Sequence, residues 1–214
     1  MNLSNTFISS RAILQVALLF TLNFNIIFSK DIDKGNSFNY QCLWVVRDAL
    51  QSRKSIDDLI NFASEKNIND LFVQVRGRGD ALYKSQMIPR SQLLPSNEFD
   101  PLSYLLQNIK GKGIKVHAWV NVYLIWSNRT MPIDKKHIIY NNEDWVDTIE
   151  EWPLDINRQL NRVSRNNQGE GVFLAPNHPE VSNYLVSVFK EIIDNYEIDG
   201  LHLDYIRYQD ADYG

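Results

Sequence analysis

In the stretch G-L-H-L-D-Y-I-R-Y, Gly200 to Tyr208, two leucines alternate with a histidine and an aspartate. An extended chain points successive side chains to opposite faces, so Leu201 and Leu203 share one side and His202 and Asp204 the other. Burying a carboxylate without a partner is costly, so this face either lines a polar hollow or pairs Asp204 with a cation. Asp204 is therefore the first candidate for acid–base or nucleophilic chemistry. The structural alternative is an aspartate held by Arg207 or Arg76.

Other residues that could do chemistry fall near the ends of earlier extended stretches. Asp80 follows F-V-Q-V-R, in a loop where ordering the R-G-R-G-D turn competes with a chemical role. Arg76 and Arg78 carry planar guanidinium forks that fit an anionic group, the alternative being internal salt bridges to Asp48 or Asp80. Trp119, Tyr123, Trp126, Tyr205 and Tyr208 supply flat faces, and Asn121 supplies an amide. Sugars need that pairing, packing C–H faces on rings and bonding hydroxyls to polar groups. His117 and His202 with Asp204 leave a divalent-metal reading open. Without an H-x-H pair on the first strand, hydrogen-bonding roles are preferred for both histidines, and no metal or cofactor is expected.

The elements that must position these groups alternate regularly. Tyr40 to Asp48, Asp70 to Arg76, Lys115 to Val122 and Gly200 to Arg207 read as strands. Between them, Ser55 to Lys66, a segment opened by Asp100-Pro101 and another opened by His178-Pro179 show helical spacing of apolar residues. Ser55 and Asp58 are the expected caps of the first helix. Strands alternating with helices imply parallel pairing. There is no glycine-rich phosphate loop after the first strand. In K-V-H-A-W-V-N-V the valines and Ala118 share one face, while His117, Trp119 and Asn121 share the other. A parallel sheet covered by helices on both faces would be apolar throughout. One aliphatic and one polar face fit a (β/α)8 TIM-type barrel, whose active site sits at the C-terminal ends of the strands. Only four strand units are present, so the expected fold is α/β, a half barrel ending after the fourth strand. An incomplete fragment, inactive by itself, is the corresponding expectation. The long segment from about 123 to 177, with Glu150, Glu151, Trp145 and Trp152, is expected to form a lid or subsite wall.

The chain of 214 residues is 44% hydrophobic and 22% charged with a net charge of -4, which supports a globular core and argues against nucleic-acid binding. Cys42 is the only cysteine, so no internal disulfide forms, and it is expected to be a small buried residue. Residues 12 to 28 form an uncharged, largely apolar run after Arg11. Residues 1–29 thus read as a signal peptide or membrane anchor, 30–38 as a linker and 39–214 as the barrel half. An exported protein, periplasmic or extracellular, with membrane association through its N-terminus as a further option, follows from that leader. No oligomeric state follows from the sequence.

The stretches W-V-V-R-D-A-L, F-V-Q-V-R-G-R-G-D-A-L-Y, V-H-A-W-V-N-V-Y-L-I-W, L-A-P-N-H-P-E-V and G-L-H-L-D-Y-I-R-Y, in this order, resemble the glycosyl-hydrolase-like 10 family of bacterial (β/α)8 barrels. The resemblance covers about residues 40 to 214 and implies glycan cleavage at the bacterial envelope, peptidoglycan being one such glycan. It implies no metal. Glycoside hydrolysis uses two carboxyl groups, one protonating the leaving oxygen and one acting as nucleophile or base. Asp204 suits either role, and the second acid is expected on a later strand. Under this reading Arg76, Arg78, Asp80, His117, Trp119, Asn121, Tyr123, Trp126, His202, Tyr205 and Arg207 surround a glycan. The rival readings are a non-catalytic glycan-binding barrel, a metal-dependent hydrolase and a nonfunctional truncated product.

Overall fold

Four parallel strands, β1 (Cys42–Val45), β2 (Asp70–Arg76), β3 (Lys115–Asn121) and β6 (Gly200–Asp204), lie side by side in that order. This computed structural model describes residues 40–95, 98–128, 130–147 and 171–209. Helices α1 (Arg53–Glu65), α2 (Pro101–Ile109) and α4 (Pro179–Asn195) follow β1, β2 and β3 in the chain. Leu71, Val73, Val75, Val116, Ala118 and Val120 are buried beneath Ile56, Ile60, Leu102, Leu105, Val188 and Ile192 of these helices. Each of these valine, leucine and isoleucine side chains contributes about 1.5–3 kcal/mol through burial, so the aliphatic face carries the core. The opposite face carries no helix among the described residues.

That opposite face is concave. Neighbouring strands lie about 4.8 Å apart, so β1 and β6 would stand about 14 Å apart in a flat sheet. Yet Trp44 of β1 reaches His202 of β6, with Nε1 3.5 Å from Nε2. Phe72 of β2 and His202, two strands apart, have ring centroids separated by only 5.0 Å. Side chains converge this way when the sheet curls around them, as in a barrel wall.

Local chemistry sets the element ends. Ser52 and Ser55 form a reciprocal capping box at the start of α1, three residues earlier than the expected cap at Ser55. Asp100 caps α2 through Oδ1, with Pro101 at its first turn, and the His178 ring accepts the Glu180 N–H at the start of α4. Two strands are shorter than the apolar pattern suggests. β1 stops at Val45 and Arg47–Leu50 winds into a 3-10 turn. β6 stops at Asp204 because Tyr205 adopts a left-handed φ of 51°. Cys42 is exposed rather than buried, since β1 is an edge strand among the described residues.

The segment after β3 holds an antiparallel pair, β4 (Leu124–Trp126) with β5 (Val172–Phe173), that alternation alone did not reveal. It also contains a one-turn helix, α3 (Ile138–Asn141), and a 3-10 turn at Glu143–Trp145. A second core of Val122, Ile125, Trp126, Ile138, Ile139, Val172, Leu174, Val181 and Leu185 joins this segment to α4. Trp152, Glu150, Glu151 and residues 157–162 of the expected lid lie outside the described residues, as do the leader and linker. No helix among the described residues is long and apolar enough to cross a membrane.

The loop after β2 is tied to α4. Glu191 receives the hydroxyls of Ser85 (2.6 Å) and Tyr83 (3.3 Å) on Oε2 and the Gln86 N–H (2.7 Å) on Oε1. Tyr196 accepts the Lys84 N–H and donates its own hydroxyl to Asp100 Oδ2 at 2.7 Å.

Candidate active site

The concave face is built in layers fixed by strand register. The lowest layer aligns Trp44 with Phe72, Phe72 with His117, and His117 with Gly200. Trp44, Phe72 and His117 stack in sequence, with centroids 4.7 and 4.8 Å apart. Gly200 makes room for this stack: a Cβ there would stand 2.5 Å from His117 Nδ1. The glycine that opens G-L-H-L-D is thus required by the imidazole beside it. The next layer aligns Gln74, Trp119 and His202. The uppermost pairs Asn121 with Asp204 at the C-terminal ends of β3 and β6.

Asp204 is held by two donors. Trp119 Nε1–H donates to Oδ2 over 3.1 Å, and the Tyr205 N–H donates to Oδ1 over 2.7 Å. The left-handed turn at Tyr205 folds that N–H back onto the preceding carboxylate. Arg207 and Arg76, the cations the sequence offered for Asp204, are engaged elsewhere. Arg207 Nη1 donates to the Tyr208 carbonyl, and its guanidinium lies 5.4 Å from the Tyr205 ring centroid and 5.6 Å from that of Phe173. Arg76 is completely buried, and Nη1 donates to the carbonyls of Asn121 and Val122.

The remaining candidates divide between the face and its supports. Asn121 is 3% exposed, donating to the Gly77 carbonyl and accepting from Gln74. Trp126 is 2% exposed in the second core, its Nε1–H bonded to the Thr130 carbonyl. Arg76, Asn121 and Trp126 are buried, and their polar groups bond to the protein itself. His117 lies in the lowest layer and bonds Asp70 Oδ1 at 2.6 Å, and His202 accepts from Trp44. His117, His202 and Asp204 occupy three successive layers, and no group of three metal-ligating side chains occurs among the described residues. Tyr123 is half-buried beside β6, its N–H bonded to the Tyr205 carbonyl.

Arg78 and Asp80 sit on the loop after β2. The Asp80 carboxylate accepts the Arg78 N–H at 3.0 Å, ordering the turn, and Arg78 Nε donates to Ser127. Burial lowers the Arg78 guanidinium from its ordinary value, and the nearby Arg47 adds to this, against Asp80 and Asp48. Gly79 has φ +70°, and a Cβ there would meet His137 Nε2 at 2.7 Å. His137, absent from the sequence-based candidates, accepts from the Ile139 N–H and bonds the Arg78 carbonyl, pinning this loop. Asp80, Arg90, Trp126, Pro132 and His137 line a cavity of about 350 Å³ that does not include Asp204. Trp44, Phe72 and Gln74 were also missed as site formers. The signal for them was the same alternation that singled out His117 and Trp119.

The buried pairs give a pH dependence. Burial pulls His137 below its ordinary value of 6.5, only partly offset by the Arg78 carbonyl and Asp80. A histidine depressed on folding adds stability above its unfolded value, lost as pH falls. Burial raises Asp70, but hydrogen bonds from Tyr40 and His117 outweigh it and leave the carboxyl below its ordinary 3.8. That contribution is complete above the unfolded value and lost on further acidification. Urea-unfolding midpoints are thus expected to fall from about pH 6.5 downward and again below about pH 4. Asp70→Asn should remove the lower step and leave the upper one.

The family model described as Glycosyl hydrolase-like 10 matches residues 16–214. The chain belongs to the glycosyl hydrolase-like 10 family. Among relatives of the chain, glycosyl hydrolase DigH of Escherichia coli strain K12 is 29% identical over 180 residues, covering 77% of this chain and 36% of that protein. Glycosyl hydrolase YngK of Bacillus subtilis is 24% identical over 153 residues, covering 68% of this chain and 26% of the relative. The chain therefore spans between about a quarter and a third of the length of these curated relatives. A crystal structure of a hypothetical protein from Ruminiclostridium thermocellum superposes with a TM-score of 0.55 at 14% identity, over 79% of this chain and 81% of that one. That likeness concerns the fold alone: an α/β architecture on a parallel sheet.

Proposed function

We propose that the chain forms the first half of a (β/α)8 glycoside hydrolase acting on a bacterial envelope glycan such as peptidoglycan, with Asp204 as one of its two catalytic carboxyl groups. One observation carries this reading: Asp204 lies at the C-terminal end of a strand, on the concave polar face of a curled parallel sheet. Barrel enzymes place their reacting groups there. The relatives named glycosyl hydrolases supply the reaction class, and fold likeness alone does not. The exposed ring of Tyr208, with Tyr205, Tyr123 and the Arg78 loop, would line the path of the sugar chain, and a partner carboxyl would come from a later strand. The uncharged run at residues 12 to 28 would serve as an export signal or an N-terminal membrane tether, placing the enzyme where its substrate is.

The test is direct. The complete protein is incubated with purified envelope glycan strands and, separately, with neutral polysaccharides, and new reducing ends are identified by mass spectrometry. Cleavage of the envelope glycan is expected. Binding to it without any new reducing end would replace this reading with a non-catalytic glycan-binding barrel. Neither binding nor cleavage would remove the glycan altogether.

A further inference from the structure

We infer that Trp119 is a positioning residue for Asp204, and that Trp119 with the left-handed turn at Tyr205 commits Asp204 to the anionic role, leaving proton donation to a different group. The inference rests on the catalytic reading of Asp204 and goes beyond it by dividing the roles. An indole Nε1–H only donates, and so does a backbone N–H. Each Asp204 oxygen receives one of these donors, at 3.1 and 2.7 Å. A carboxyl group serving as proton donor needs an oxygen free to carry the proton towards the leaving group. Both Asp204 oxygens thus act as acceptors, the bonding pattern of an ionised side chain, which has no donor of its own.

Both donors are held independently of any substrate. Trp119 is flanked in register by Gln74 and His202, and the His202 ring meets it edge-on at a centroid distance of 6.2 Å. His202 is fixed in turn by Trp44 across the concavity. Tyr205 holds a φ of 51°, a conformation that residues with a Cβ adopt at a cost and that here aims its N–H at Oδ1. The Val122 N–H to Asp204 carbonyl bond (2.7 Å) and the Tyr123 N–H to Tyr205 carbonyl bond (3.2 Å) keep the turn in step with the end of β3. Preorganised donors of this kind cost no rearrangement when the reaction begins. In the reaction, Asp204 either attacks the anomeric carbon or takes a proton from the attacking water. In both cases the departing oxygen takes its proton from the other acid, and no further reactant is needed.

The complete protein carrying Trp119→Phe keeps a ring in place and deletes the donor. Its kcat on the cleaved glycan is expected to fall by about 10- to 100-fold, somewhat below the loss of a fully buried oxyanion donor. KM should stay within about twofold of the unsubstituted protein, because no ground-state contact is removed. A raised KM with unchanged kcat would make Trp119 a sugar platform and overturn the inference. Asp204→Ala, assayed on aryl glycosides whose leaving groups need no proton, is expected to stay inactive. Recovery on those substrates would identify Asp204 as the acid and overturn it as well. A readout independent of turnover separates this from the glycosidase reading. The Trp119 indole ¹⁵N–¹H resonance should move upfield and exchange faster in Asp204→Ala. An unmoved resonance removes the Trp119 contact whatever the activity. Inactivity of the unsubstituted protein on every glycan and aryl glycoside would instead end the glycosidase reading and the role given to Asp204.

Discussion

Asp204→Asn is expected to lower glycan cleavage by about 10²- to 10⁴-fold, the share that a positioned acid–base group supplies. The fold should persist. Asparagine is nearly isosteric, and its side-chain oxygen continues to accept one of the two donors, Trp119 Nε1–H or the Tyr205 N–H. The carboxylate charge disappears, and a neutral amide neither attacks an anomeric carbon nor takes up a proton from water. Circular dichroism and the unfolding midpoint should match those of the unsubstituted protein, while reducing-end release falls to background. Activity within threefold of the original would exclude Asp204 from the reaction.

Arg76→Ala should be the most destabilising single change in the sheet, costing about 3 kcal/mol or more. The side chain is completely buried, and its Nη1 is the donor for the Asn121 and Val122 carbonyls at the end of β3. Truncation leaves a cavity, at about 2–5 kcal/mol for a large side chain, and strands buried carbonyls at about 1–3 kcal/mol each. Removing a buried charge offsets part of this. Nε and Nη2 of Arg76 have no hydrogen-bond partner among the described residues, so the charge is incompletely compensated within them. Arg76→Met separates the contributions by filling the volume without charge or donors. Its urea midpoint should lie between those of Arg76→Ala and the unsubstituted protein. A methionine variant as stable as the original would show that the two carbonyl bonds give no net stabilisation.

Arg76 also marks where reading by alternation stops. Leu71, Val73 and Val75 fall on the aliphatic face as the two-residue period requires, and Phe72 and Gln74 on the concave one. The register then slips between Gln74 and Arg76, aligning Arg76 with Val120 of the aliphatic face instead of with a polar neighbour. A bulge of this kind adds one residue without a sequence signature, so strict alternation misplaces everything after it. β3 has no such slip within Lys115–Asn121, and its two faces are those expected from the sequence. The Asp100-Pro101 and His178-Pro179 helix starts were legible because their capping chemistry is local. The β4–β5 pairing was not, since it joins residues about fifty positions apart through only two aligned pairs. Residue type makes Asn121 and Trp126 candidate glycan contacts, but their burial follows from tertiary packing, which alternation does not carry.

Glu191 and Tyr196 give the molecule an unexpected mechanical property. Between them they grip residues 83–86 and Asp100, so the segment bearing Arg78 and Asp80 leads directly into a clasp on a helix that lies much later in the chain. Neither partner loosens without breaking several bonds to the other, the condition for opening as one cooperative unit. A substrate that orders the segment near Asp80 would thereby also steady α4 through this clasp.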